Sequence, residues 1–223
     1  MTGAVIFDLD GTLVDTPRAI VETFMATFAS LGLRPQGAEA IRATIGLPLE
    51  QAFSQLLDVP REDPLVAQGV KQYQGLFREL ILPKAASLLF PGVLAGLPAL
   101  RERGLKLAVA TSKVYASADA LLRAAGLREK FLEVVGADQV SRSKPHPEMG
   151  QLLLRRLECP AEHAVMVGDT THDLLMARAA GMRSIAVTYG VHGLAELRSA
   201  HPTWIADSFD EVLRCIPSEP ART

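Results

Sequence analysis

The apolar positions of this chain run in two rhythms. Residues 4–7 read AVIF without interruption, and the run up to Asp8 predicts a short strand buried on both faces, as in a parallel sheet. From Thr16 the spacing changes. Ile20, Phe24, Phe28 and Leu31 recur at helical intervals, with Thr16 as N-cap, Pro17 in the first turn and Gly32 as the stop. Leu49, Phe53 and Leu56 predict a second helix after Pro48, and Val66, Val70, Tyr73, Phe77 and Leu80 a longer third. No strand-like run interrupts 16–82, so this block reads as all helical.

After Pro83 strands and helices alternate. A helix from Val93 to Arg103 ends at Gly104, strand Leu105–Ala110 follows, and a helix runs to Ala125 with Gly126 as its stop. Then come strand Glu133–Val135, a helix over 147–157, strand Ala164–Val167, a helix over 171–180, strand Ser184–Thr188 and a short strand at Trp204-Ile205. Such alternation implies βαβ units. The predicted architecture is an α/β, doubly wound parallel sheet with a helical insertion after its first strand. The tail 217–223 is expected to fray.

Composition narrows the partners. With 48% hydrophobic and 22% charged residues the 223-residue chain is an ordinary globular protein. A net charge of −2 leaves no electrostatic footprint for nucleic acid or an anionic membrane, so any bound anion must be held by a few placed groups. Cys159 and Cys215 form no CxxC pair and read as packing residues. The N-terminus lacks a charged leader, and the apolar stretch 88–100 is broken by Pro91, Gly92 and Pro98. A cytoplasmic, reduced setting is therefore expected.

Ligands of a parallel sheet bind outside the carboxyl ends of its strands. The first strand ends in Asp8-Leu9-Asp10-Gly11-Thr12, the second in Thr111-Ser112-Lys113, and a later one in Gly168-Asp169 followed by Asp173; Ser143-Lys144-Pro145 precedes that last strand's region. Taken alone, Asp8 and Asp10 leave a pair of helix-capping acids after the strand as the minor reading. Together with Asp169 and Asp173 they make an oxygen-rich cluster suited to Mg²⁺. Lys144, Thr111 and the backbone amides of the Gly11-Thr12 turn suit a phosphoryl group beside it. With no Ser/His/Asp or Cys/His set at the strand ends, the nucleophile is expected to be a carboxylate.

DLDGTLVDT, then hydrophobic-Thr-Ser, then Lys-Pro, then GDxxxD, in this order, resembles the haloacid dehalogenase-like superfamily of phosphatases over essentially the whole chain. Within it the chain looks most like the phosphoglycolate phosphatase group. The resemblance implies an α/β core over 1–14 and 84–223 and a helical cap over 15–83. It implies Asp8 as nucleophile and metal ligand. Asp10 would protonate the leaving oxygen, then activate water, with its backbone carbonyl on Mg²⁺. Thr111 would bind phosphoryl oxygens, Lys144 would balance charge on Asp8 and the phosphoryl, and Asp169 would bind Mg²⁺. Asp173 would orient Lys144 or a metal-bound water, or serve only as a first-turn acid.

Further positions carry weaker expectations. Ser112 reads as an N-cap or a phosphate contact, Lys113 and Arg142 as solvated charges, and Asp15 as a hinge residue capping the first helix. Met25, with Phe24 and Phe28, belongs to the cap core, and His146, His172 and His192 read as solvated loop residues. The turn 41–48 is expected to face the site, with Arg42 either pairing a substrate carboxylate or solvated. The implied substrate is a small phosphorylated metabolite, first of all 2-phosphoglycolate, and the implied assembly a monomer or weak homodimer. Inorganic pyrophosphatase and β-phosphoglucomutase-like activities are rivals, although mutases of that type tend to have Glu-Asp where this chain has Gly168-Asp169. A catalytically idle binding module would have lost one of Asp8, Asp10, Lys144 or Asp169, and all four are present.

Overall fold

The computed structural model describes residues 3–216, so the tail expected to fray lies outside the described residues. Six parallel strands form one sheet: β1 (Ala4–Phe7), β2 (Lys106–Ala110), β3 (Glu133–Val135), β4 (Ala164–Gly168), β5 (Arg183–Val187) and β6 (Trp204–Ala206), in the order β3-β2-β1-β4-β5-β6. Every residue of β1 and β4 is buried, which explains why these segments read as unbroken apolar runs. The chain winds away from β1 in one direction to β2 and β3, and in the other through β4 to β6. The switch point therefore lies between β1 and β4, where Ile6 pairs Met166 and Phe7 pairs Val167. Such a point opens a crevice at the strands' carboxyl ends.

The insertion holds α1 (Pro17–Ser30), α2 (Ala38–Arg42), α3 (Leu49–Leu57) and α4 (Pro64–Leu80), followed by a 3-10 turn at Leu82–Leu88. Its core is aromatic. Phe24 lies 4.8 Å from Phe53 and 4.7 Å from Tyr73 between ring centroids, and Tyr73 stacks on Phe77 at 6.0 Å. Each such ring, fully buried, contributes about 1.5–3 kcal/mol. The two connections into and out of the insertion are bonded to each other: Asp15 N donates to Leu88 O at 2.6 Å and Phe90 N to Leu13 O at 3.2 Å. This two-strand neck joins the helical insertion to the sheet.

The remaining helices are α5 (Val93–Glu102), α6 (Tyr115–Ala124), α7 (Glu148–Arg156), α8 (Thr171–Ala179), α9 (Leu194–Ser199) and α10 (Phe209–Cys215). Two local expectations fail. Met25 is 40% exposed, on the outer face of α1, so it is no part of the cap core. Asp15 is exposed and α1 starts with no side-chain cap bond from Thr16, whose hydroxyl is engaged elsewhere. Among the described residues no helix is long and apolar enough to cross a membrane. Cys159 is buried and Cys215 half-buried, and burial pushes both thiols up, as packing residues require.

Candidate active site

The sheet carries Asp8 one residue past β1, and its amide still donates to Val167 O at 2.9 Å. The carboxylate is thereby held at the switch point. Lys144 reaches it from the loop before α7, and the ammonium's three donors are all engaged: Asp8 Oδ1 at 2.7 Å, Asp173 Oδ1 at 2.6 Å and the Ala110 carbonyl at 2.7 Å. Asp173 fills both roles the sequence left open. Its Oδ2 accepts from the Thr170 amide at 3.1 Å and hydroxyl at 2.7 Å, closing the first turn of α8, while Oδ1 holds Lys144.

Asp169, fully buried at the end of β4, is fixed by the Thr12 hydroxyl at 2.9 Å and the Val191 amide at 2.8 Å. Two glycines make room for it. A Cβ on Gly11, which has φ +83°, or on Gly190 would collide with the Asp169 carboxylate. The turn after β1 also carries contacts of its own. The Gly11 amide donates to Val14 O at 2.8 Å, and the Thr12 side chain orients Asp169.

One oxygen from each of Asp8, Asp169 and Asp173 can lie within 4.8 Å of the others, all three residues buried. Three carboxylates face a single ammonium. Burial pushes Asp8 well above the usual carboxylate range; Lys144 offsets part of this, and Asp173 and Asp169 add to it. Burial and then the Asp173 charge push Asp169 up to about 7. Burial alone would lower Lys144, but Asp173 and Asp8 outweigh it and hold the ammonium charged. An under-compensated set of hard oxygen donors fits a small divalent cation such as Mg²⁺.

That excess of negative charge makes a measurable prediction. A carboxyl raised in the folded state favours folding below its unfolded value of 3.8, and the contribution is lost as pH rises towards 7. The protein in EDTA should therefore lose several degrees of melting temperature between pH 5 and 8, and saturating Mg²⁺ should remove the loss. Apparent Mg²⁺ affinity should weaken about tenfold per pH unit below 7 for each proton displaced. Melting curves in EDTA that are flat over this range would contradict the assignment.

Asp10 faces the other way. Its Oδ1 accepts from the Thr16 hydroxyl at 2.6 Å and its Oδ2 lies 3.3 Å from Lys113 Nζ. Its carboxylate is thus outside the three-carboxylate cluster and points towards the cap. Lys113 is not a solvated charge, being 13% exposed in its side chain and seated 4.2 Å from the centroid of Phe77. Thr111 is buried at the end of β2, and its hydroxyl accepts from the Lys113 amide at 3.2 Å. Ser112 caps no helix: α6 begins at Tyr115, whose amide donates to Asp138, and the Ser112 hydroxyl donates to Gly46 O at 2.6 Å, tying core to cap.

Thr16 and Lys113 hold the Asp10 carboxylate from two sides, contacts that their sequence positions did not suggest. Asp8, Asp10, Thr111, Ser112 and Lys113 line one cavity with the cap residues Thr44, Ile45, Gly46 and Leu47. Arg42 is not on that lining. Its Nη2 donates to Gly190 O at 3.0 Å, bracing the loop that holds Asp169. His172 lies in the first turn of α8 rather than a loop, and burial pushes its ring down; His192 Nδ1 accepts from the Thr171 amide at 3.2 Å. His146 Nδ1 likewise accepts from the Glu148 amide at 3.2 Å, and Arg142 stays at the surface.

A family model for haloacid dehalogenase-like hydrolases matches residues 5–187. The chain belongs to that family. A probable phosphatase, IndB, from Dickeya dadantii is 56% identical over 96% of this chain and 93% of its own length. A pyrophosphatase, PpaX, from Halalkalibacterium halodurans is 32% identical over 94% of each chain, and a phosphoglycolate phosphatase from Rhodospirillum rubrum is 35% identical over 85% of this chain and 81% of its own. The crystal structure of a haloacid dehalogenase-like hydrolase from Bacteroides fragilis superposes with a TM-score of 0.85, at 26% identity, over 95% of this chain and 100% of that one. The family membership, the α/β fold and the expectation of a phosphatase-type enzyme are met together.

Proposed function

We propose that this phosphatase is a Mg²⁺-dependent phosphomonoesterase of a small phosphorylated metabolite, working through an aspartyl-phosphate on Asp8. The observation that carries the reading is the division of labour between two acids two residues apart. Asp8 sits inside the charged cluster on Lys144, whereas Asp10 sits outside it, between Thr16 and Lys113. Lys144 holds Asp8 Oδ1, which leaves Oδ2 to attack phosphorus. As the Asp8–phosphorus bond forms, the ester P–O bond breaks and Asp10 delivers a proton to the leaving oxygen. Asp10 then takes a proton from the water that releases phosphate.

Thr111 and Lys144 would bind the phosphoryl oxygens, and Asp8, Asp169 and the Asp10 carbonyl would hold Mg²⁺, with Asp173 supporting Lys144. The bound cation supplies neutralisation of the phosphoryl charge. Closure of the cap over Asp10 excludes water from the leaving-group side.

Asp10→Asn should lower kcat by about 10²–10⁴-fold for alkyl phosphates while leaving Mg²⁺ affinity nearly intact. The loss in kcat/KM, which reports only the step that expels the leaving group, should shrink for an aryl phosphate, whose leaving oxygen needs no proton. An equal loss of kcat/KM on both esters would remove the acid role. The reading as a whole is tested by phosphate release from alkyl phosphates, 2-phosphoglycolate and pyrophosphate with Mg²⁺ or EDTA. Release that requires Mg²⁺ supports it; release unchanged by EDTA overturns it.

A further inference from the structure

The cavity that begins at Asp8 and Asp10 does not stop at the phosphoryl position. It measures about 320 Å³ and extends between α1, α3 and α4 of the cap. That is at the lower end of the range for small-molecule sites, and more than a two-carbon acid or a second phosphate would fill. The walls beyond Asp10 are Ile20, Phe24, Leu49, Ala52 and Phe77, and all but Leu49 are at most 6% exposed. The wall beyond Asp10 is therefore apolar.

The charges on the lining are wrong for an anionic leaving group. Lys113 is engaged by Asp10 and Phe77. Arg78, the other cation on the lining, is solvent-exposed. A carboxylate or phosphate pushed against Phe24 and Ala52 would be desolvated without a partner, at a cost of several kcal/mol. A neutral, flat group meets no such penalty and finds rings to stack on.

Polar side chains line the chamber too, Thr44 and Gln74 as well as Tyr73. Tyr73 lines it and is 5% exposed, and among the described residues no hydrogen bond includes its hydroxyl. That hydroxyl is not among the fully enclosed unpaired polar atoms, and Tyr73 stands on the cavity wall. Burial, and then the nearby Asp10 charge, push the phenol upward, so it remains an O–H donor. A buried donor without a partner points to a ligand that accepts from it.

Building on the phosphomonoesterase reading, we infer that the cap chamber selects esters of an uncharged, ring-bearing alcohol with a hydrogen-bond acceptor on the ring, over 2-phosphoglycolate and pyrophosphate. The phosphoryl end lies at Asp8 and Thr111, the ring against Phe24 and Phe77, and the acceptor at the Tyr73 hydroxyl. Specificity thus resides in Tyr73 and the aromatic wall, not in Arg42.

The test separates binding from turnover. Benzylphosphonate and ethylphosphonate differ by a ring, carry the same phosphonate charge and cannot be hydrolysed. With Mg²⁺ present, calorimetry should give the benzyl compound at least about tenfold tighter binding. A 4-methoxybenzyl analogue, which adds an acceptor, should bind tighter than benzyl to the wild type and lose that gain in Tyr73→Phe. Equal or weaker binding of benzylphosphonate would overturn the chamber assignment. Turnover of benzyl and ethyl phosphate then addresses the parent reading on its own. Ring preference in binding with no hydrolysis of either ester would leave the chamber standing and remove the phosphatase chemistry. Hydrolysis that favours ethyl phosphate, 2-phosphoglycolate or pyrophosphate would do the reverse.

Discussion

Replacing Asp8 by Asn should reduce Mg²⁺-dependent phosphate release by at least about 10⁴-fold, with the protein still folded. The amide is nearly isosteric and can still accept from Lys144 through its oxygen, so the 2.7 Å contact need not be lost. What is lost is the anionic oxygen that attacks phosphorus. The variant should even gain stability in EDTA at pH 8. Asp8 is a buried acid whose charge is opposed by burial and by Asp173 and Asp169, and the substitution removes that conflict. A melting temperature raised with activity abolished is a signature that damage to the fold would not give. Residual activity within tenfold of wild type would mean that another group attacks.

The second large effect is on stability as well as activity. Among the described residues Lys144 is the one cation that hydrogen-bonds both Asp8 and Asp173, at 2.7 and 2.6 Å, and it is 5% exposed. Lys144→Met keeps the length of the stem and removes the charge. Asp8, Asp169 and Asp173 then face one another unrelieved, and breaking such a buried pair costs about 3–5 kcal/mol. The loss should be full at pH 8 in EDTA and smaller at pH 5, where Asp8 and Asp169, both raised by burial, take up protons. Urea midpoints at an unchanged m-value give the number directly. A shift below about 1 kcal/mol at pH 8 would show that Lys144 does not neutralise the cluster.

The charged cluster at the sheet edge is legible in the sequence because its residues ride on strand ends. Asp8, Thr111 and Asp169 follow apolar runs that can only be buried strands, and a parallel sheet sends all their carboxyl ends to one edge. Lys144 and Asp173 join them through short local turns. The contacts between the helical insertion and the sheet are less legible. Lys113 looks solvated until Phe77, on the last turns of α4, is seen to cover it. Thr16 looks like a helix cap until the backward turn of the chain sets its hydroxyl 2.6 Å from Asp10. The contact between Ser112 and Gly46 spans 66 residues of sequence.

These are cap–core contacts, set by how the neck docks two layers, and no local periodicity encodes them. Short elements escape for a simpler reason. α2 has five residues and α9 six, too few turns for a 3.6-residue rhythm to declare itself. Met25 fails differently: it sits next to Phe24 on an amphipathic helix, and a one-residue step turns a side chain about 100° from the core.

The central claim is that Asp8 carries the phosphoryl group. Asp10→Asn mixed with 4-nitrophenyl phosphate and Mg²⁺ tests it most directly, because the aryl leaving group needs no proton whereas hydrolysis of the acyl phosphate needs Asp10 as base. A burst of 4-nitrophenol equal to the enzyme concentration should precede slow turnover. Acid quenching, digestion and mass spectrometry should then find one phosphoryl group on the peptide containing Asp8. A burst-free time course with no modified Asp8, or a phosphoryl group on another residue, would contradict the account.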